Sequence, residues 1–451
     1  MKRIRSIMFV FVILSMIFGM CSCAGAYDAD DGGYGGGSYE GGWSGDAAPE
    51  VGGDSGTGGV EGDMPDDSTG GDEIPDDKGD STDDVRLPAG MITAGAWVDN
   101  DNYEMWLDLF AQGAEEGAPN GKFYGYTTDR GSWGFNSLRR ISVKVTSGDL
   151  AVAGATVTAS DANGDPLFVG VTDAQGNAYL FTGAESGTVT VTSGDGRAST
   201  EFTADTRDLT LDLATSAEKL NVIEMMLVVD VTGSMGDEIS FLKAELADVI
   251  NRVCAADENT VVSLALLFYR DKTDNEMFAY YDFANVTTPG GMDAQQTALS
   301  SQRASGGGDY PEAVDEALEL AVNKQWSDGA TTKLIFFVLD APPHSDDEGI
   351  ERFNSATKTA AEKGIRICPI LCSGAAGLTE YVMREAAIHT NGTFIFVTDD
   401  SGIGGSHHDP ALPNVTVELL NSLMVRVTLG YHTGEFDEPI YWKEDVSSTQ
   451  K

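Results

Sequence analysis

The sequence predicts a multidomain protein: an α/β doubly wound domain preceded by an all-β sandwich and a disordered, acidic, Gly-rich linker. Three observations carry this reading. Residues 222–432 alternate continuous apolar runs with stretches of helical spacing, the pattern of a mostly parallel sheet covered on both faces. Residues 140–214 hold seven short strand-like runs separated by Asp, Gly and Asn turns. Residues 24–85 contain 18 acidic residues, 18 Gly and one Lys, too little apolar surface to offset the entropy of ordering.

Taken in order, residues 1–23 read as a secretory signal. Lys2, Arg3 and Arg5 precede the mostly apolar stretch Ser6–Met20, which is too short for an ordinary membrane-spanning helix. The end of this stretch, Met20-Cys21-Ser22-Cys23, resembles a bacterial lipobox, with a small residue before Cys23 and an apolar one three positions before it. The resemblance implies lipidation at Cys23; the alternative is an ordinary cleaved signal. Residues 24–85 then form a tether with a random-coil span of about 45 Å.

Residues 86–139 carry Trp97, Tyr103, Trp106, Phe110, Phe123, Tyr124, Tyr126, Trp133 and Phe135 among polar residues, with a short amphipathic helix expected at 102–112. These aromatics are either a carbohydrate platform or a packing surface that docks on the next domain. In residues 140–214 the strands are expected at 141–146, 155–160, 167–171, 178–181, 187–192, 198–202 and 209–213. Asp161–Asp165 and Asp173–Asn177 supply the turns. Val152–Val157 followed by Thr172-Asp173-x-x-Gly176 resembles the carboxypeptidase-regulatory-like, prealbumin-type β-domain.

In residues 222–432 the expected strands are 225–230, 261–269, 332–340, 366–371 and 393–397, with 277–283 as an antiparallel edge strand. Helices are expected at 311–322, 350–363, 380–389 and 415–427, and a further one carries Ile239, Leu242, Leu246, Val249, Ile250 and Val253 on one face. Residues 433–451 are a tail. Cys254, Cys368 and Cys372 form no disulfide framework: Cys368 and Cys372 stand about 13 Å apart along one strand.

Two strands end in aspartate, at Asp230 and Asp340. Ligands of open α/β sheets bind beyond the carboxyl ends of strands where the strand order reverses. If these two strands are neighbours there, their carboxylates converge. Thr232 and Ser234 sit on the turn after the first strand, and Gly306–Glu312 is a Gly-rich loop opening a helix. Carboxylates, hydroxyls and waters suit Mg²⁺ or Mn²⁺. The helix after Ser234 turns its positive end towards this place, so the aspartates are needed electrostatically. Few anionic ligands would leave a coordination position for an external carboxylate. The alternatives are local: Thr232 or Ser234 as a helix cap, and Asp309 with Glu312 as a capping box.

These residues resemble the von Willebrand factor type A domain and its metal-ion-dependent adhesion site. Asp230, Thr232 and Ser234 match the Asp-x-Ser/Thr-x-Ser turn of that family, and Asp340 matches its later aspartate. No Thr occupies 306–312, so Asp309 is the candidate for the middle ligand. The resemblance covers residues 222–432 and implies a Rossmann-like sheet, a Mg²⁺ site and metal-bridged adhesion.

The expected protein is lipid-anchored in a bacterial cell envelope and binds a protein ligand offering a carboxylate. The alternatives are an envelope scaffold with a purely structural metal and a glycan-binding accessory protein. The net charge of −44 disfavours nucleic acid, and leaves contact with a membrane to the lipid anchor. An enzyme is not expected: there is no Gly-x-Ser-x-Gly elbow, no P-loop and no His-Glu-x-x-His. His344, His407 and His408 are expected in surface loops.

Overall fold

The computed structural model describes residues 89–112, 121–128, 133–308, 310–329 and 331–449, all within one unit spanning Ser81–Lys451. The signal, Cys23, the tether at 24–85 and Asp309 lie outside the described residues. The chain enters through β1 (Thr93–Trp97) and two short helices, α1 (Tyr103–Asp108) and α2 (Tyr124–Thr128). Eight strands follow: β2 (Arg140–Ser147), β3 (Leu150–Ala151), β4 (Thr156–Ser160), β5 (Pro166–Val171), β6 (Asn177–Phe181), β7 (Ser186–Ser193), β8 (Gly196–Thr203) and β9 (Asp208–Asp212). They form two four-stranded sheets: β3, β6 and β9 pair with β2, and the other runs β5-β4-β7-β8. The alternation of buried and half-buried residues in β2 and β4 is the two-residue period of strands covered on one face.

The rest of the chain alternates strand and helix: β10 (Val222–Asp230), α3 (Ile239–Ala256), β11 (Val261–Tyr269), β12 (Phe278–Asn285), α4 (Asp293–Ser301), α5 (Val314–Val322), β13 (Thr332–Leu339), α6 (Asp347–Lys363), β14 (Ile365–Leu371), α7 (Gly377–His389) and β15 (Phe394–Val397). β16 (Glu418–Leu419), α8 (Leu420–Thr433) and α9 (Trp442–Thr449) close it. The sheet order is β12-β11-β10-β13-β14-β15-β1-β16. β10, β11, β13, β14 and β15 run parallel, while β12 pairs antiparallel at one edge and β1 pairs antiparallel with β15. All eight residues of β13 and all seven of β14 are buried, as expected of mostly apolar strands in a sheet covered on both faces, and Lys333 and Arg366 are buried with them.

The aromatic segment is built into this sheet. β1 is flanked by β15 and β16. Glu245 of α3, fully buried, accepts the N–H groups of Gly90, Met91 and Ile92 at 2.8, 2.7 and 3.0 Å. Trp106, Phe123 and Trp133 are buried in the core, and none of the nine aromatics is exposed. They pack as buried or half-buried side chains against the rest of the domain. One buried cluster continues from Val157 and Phe168 of the small sheets to Phe353 of α6 and Ile388 of α7.

Gly95 of β1 makes the closeness testable. A Cβ there would stand 2.5 Å from Phe396 Cζ and 2.8 Å from Val415 Cγ2. Gly95→Ala is expected to cost about 1–3 kcal/mol in a urea melt, through overpacking. A loss below a few tenths would mean that β1 docks loosely.

Several boundaries differ from expectation. A single 3₁₀ turn at Gly233–Asp237 separates Ser234 from α3, so the helix dipole starts further from the turn than expected. α5 begins at Val314 rather than Pro311, because the Glu312 N–H is bound to Pro342 O at 3.2 Å. α8 begins at Leu420 rather than 415, because Glu418 and Leu419 pair with β1. α4 was not anticipated; its sequence Asp-Ala-Gln-Gln-Thr-Ala-Leu-Ser-Ser has little apolar period.

Candidate metal centre

β10 lies between β11 and β13, so the chain leaves β10 in one direction and later returns on its other side. This is the point of strand-order reversal, where open sheets bind ligands. Val229 pairs with Val338, which places Asp230 and Asp340 at adjacent strand ends. They are 0 % and 3 % exposed.

The turn after β10 is held from within. The Thr232 N–H donates to Asp230 Oδ1 at 2.8 Å, which aims the other carboxylate oxygen away from the backbone. That oxygen, Oδ2, is enclosed and meets no well-aligned donor, and the buried Tyr269 hydroxyl lies close enough to act on this carboxyl. Thr232 Oγ1 and Ser234 Oγ stand 3.1 Å apart. Adjacent oxygens around an octahedral Mg²⁺ are separated by about 2.9 Å, given metal–oxygen distances of 2.0–2.1 Å. Thr232 is buried and Ser234 exposed, so the hydroxyl pair runs from the interior to the surface. Thr232 occupies the N-cap position of the 3₁₀ turn yet makes no capping bond with its side chain.

The Gly-rich loop is pinned beside this turn. Gly233 N–H donates to Gly306 O at 3.1 Å, and Ser305 N–H to Val231 O at 3.0 Å. Gly306 and Gly307 have φ of +80° and +74°, a region that side chains oppose. A Cβ on Gly307 would stand 2.8 Å from Glu312 Oε1 and 3.3 Å from Thr232 Cβ. Glycine is therefore what lets Glu312 and Thr232 approach this loop.

Carboxylates dominate the local field. Burial, followed by the charge of Asp340, pushes Asp230 up to about 7. Burial, followed by Asp230, Asp271, Asp340 and Asp274, pushes Glu312 up to about 9. Glu312 is 4 % exposed and its Oε2 has no hydrogen-bond partner. The sequence marked Glu312 only as the end of a capping box. Its inward position depends on the Gly307 conformation and on the bridge to Pro343, neither of which has a local sequence signal. Since α5 starts at Val314 with Ala313 at its N-cap, Glu312 lies before the helix rather than in its first turn.

Other predicted residues have different duties. His344 Nε2 pairs with Asp271 at 2.9 Å. His407 bridges Glu238 and Asp399, both at 2.7 Å, with its side chain 3 % exposed. His408 pairs with Glu380 at 2.8 Å. His344 thus ties two loops together, while His407 and His408 tie theirs to the start of α3 and to α7. Cys368 and Cys372 are buried free thiols. Among the described residues no group of three or more His, Cys, Asp or Glu side chains forms a ready metal cage. The donor set is mixed, two strand-end carboxylates with two hydroxyls, and its orphaned Asp230 oxygen fits a hard divalent cation.

The switch point of a doubly wound sheet, where these side chains lie, is where open α/β domains place their ligand sites. Residues 224–396 match the family model described as von Willebrand factor A domain, and this part of the chain is a VWA domain. A curated relative, an ariadne-like RING finger protein of Acanthamoeba polyphaga mimivirus, is 25% identical over 214 residues, 45% of this chain and 20% of that protein. The chain thus spans about a fifth of that relative. Among solved structures, BatB from Bacteroides thetaiotaomicron is similar with a TM-score of 0.28 and 16% identity, over 39% of this chain and 90% of that one. An aerotolerance-related membrane protein from Bacteroides fragilis gives 0.30 and 16%, over 47% and 100%. The pilus adhesin SpaC from Lactobacillus rhamnosus GG gives 0.34 and 12%, over 55% and 32%.

Proposed function

We propose that the VWA domain holds Mg²⁺ or Mn²⁺ at Asp230, Thr232, Ser234 and Asp340 and uses it to bind an acidic side chain of a protein partner. The observation that carries this is the pair of buried carboxylates on neighbouring strand ends, with Asp230 Oδ2 enclosed and without a well-aligned donor. Two buried carboxylates repel unless a cation or a proton intervenes. The exposed Ser234 leaves one side of the ion open to a partner. Asp309 remains a candidate fifth contributor by its place in the loop. The ion, when bound, supplies Lewis acidity; the residues position it and exclude water from its inner side.

The protein is a binding protein rather than an enzyme in this reading, anchored through Cys23 in a cell envelope, with the tether holding the head away from the membrane. The prealbumin-type β-domain stiffens the head. A Cys23→Ser chain that still partitions with membranes would remove the anchor from this account. Retention of an Asp- and Glu-rich peptide library on the immobilised full chain is expected in Mg²⁺. It should be lost in EDTA and in Asp340→Ala, with the far-UV circular dichroism unchanged. Retention that survives both treatments sinks the adhesion mechanism. The burial of Asp230, Thr232 and Asp340 favours a second reading, a purely structural ion in a scaffold. A chelator that lowers Tm without touching peptide retention selects it.

A further inference from the structure

We propose that Glu312 is the charge-setting residue of this centre: an anionic side chain that faces the bound ion across a water and strengthens its retention while weakening its pull on an external carboxylate. The inference rests on the metal reading above and deepens it. Glu312 is 4 % exposed and its Oε2 is enclosed without a hydrogen-bond partner. A buried carboxylate oxygen left in this state is costly unless a cation or an ordered water meets it. The backbone gives it no freedom to leave, since its N–H is bound to Pro342 O and it bridges Pro343. The left-handed Gly307 beside it leaves space in which its Oε1 and the Thr232 side chain approach the same loop.

The four strongest charges acting on Glu312 are Asp230, Asp271, Asp340 and Asp274, all negative. Among the described residues no counter-charge of comparable strength acts on it, and a divalent ion between Asp230 and Asp340 would supply one. No three acidic groups converge into a direct cage among the described residues, which places Glu312 one layer out. An outer carboxylate orders a metal-bound water and raises affinity for the ion. It also adds negative charge where a partner's carboxylate must approach, so it opposes that partner electrostatically. The two effects have opposite signs, and this separates a charge-setting role from a structural one.

The test uses the full chain, Mn²⁺ and acetate, with affinities read by calorimetry. Glu312→Gln is isosteric and is expected to keep the metal-free Tm at or above that of the parent. Its Mn²⁺ affinity should fall by about tenfold or more, as for other outer partners of metal sites. Acetate should bind the Mn²⁺-loaded variant more tightly than the loaded parent. Glu312→Asp, which keeps the charge, should recover most of the Mn²⁺ affinity. Unchanged Mn²⁺ affinity in Glu312→Gln overturns the proposal, and so does a joint loss of Mn²⁺ and acetate affinity, which indicates damage to packing. Asp230→Asn separates the two levels. If it abolishes Mn²⁺ binding while Glu312→Gln does not, only the role of Glu312 falls. If the parent chain binds no Mn²⁺, the metal reading falls with it.

Discussion

Replacing Arg384 with Met is expected to lower the unfolding free energy by about 3–5 kcal/mol. Arg384 lies on α7 with its side chain 1 % exposed. Its Nε and Nη2 donate to the two Asp99 oxygens at 3.0 and 2.5 Å, and its Nη1 donates to Glu380 Oε1 at 2.8 Å. The rings of Trp106, Phe123 and Phe394 surround the guanidinium at 5.3–5.6 Å. Met fills similar space, so little of the loss comes from a cavity. The cost arises because Asp99 and Glu380, both buried, lose their shared cation. Asp99 follows β1, so the ion pair bolts the N-terminal segment to α7. A urea melt measures the change. Asp99→Asn in the Arg384→Met background should return part of the lost stability, since it removes one stranded charge. A loss under 1 kcal/mol would show that the network contributes little.

The second large effect is a pH-dependent response to divalent cation. Asp230 moves from 3.8 to about 7 on folding, and Glu312 from 4.5 to about 9. Both are acids whose folded form holds its proton more tightly, so between the two values the folded chain binds more protons than the unfolded one. Stability then falls as pH rises through these windows. Buried His389 and His432 act oppositely: both drop from 6.5 to about 4, so stability rises with pH between those values. Above pH 6.5 the histidine contribution is complete, and the metal-free Tm is expected to fall from pH 6.5 towards 9. Added Mg²⁺ or Mn²⁺ should raise Tm, more at pH 8.5 than at pH 5, because it favours the ionised carboxylates. Saturation at a hundredfold over Kd corresponds to about 2.7 kcal/mol. In Asp230→Asn the cation shift should vanish, and the metal-free fall with pH should shrink. A cation shift that is equal at both pH values, or absent in the parent, refutes the coupling.

Much of the VWA domain was legible because its signals are local. The apolar runs of β10 and β13 are continuous, and each is ended by an aspartate. The edge strand β12 was legible from its half-polar sequence and short connection to β11. The strands at 140–212 follow a two-residue period broken by Asp-Gly turns, and Asp161 and Asp173 accept the turn N–H groups that such sequences provide. What escaped is non-local. The pairing of β1 with β15 joins residues about three hundred positions apart, and no periodicity in the segment 86–139 names its partner. Likewise His407 and His408 look like loop residues, yet Glu238 and Glu380 of distant elements bind them.

By itself the sequence determined the doubly wound alternation, the Asp230-x-Thr232-x-Ser234 turn and the strand-end Asp340, because side-chain period and turn chemistry act within a few residues. Only the tertiary structure decided that Asp230 and Asp340 are neighbours, that Glu312 faces the same field, and that Arg384 holds Asp99. Those outcomes depend on strand order and on the removal of water from charges, and neither is written in any short stretch of chain.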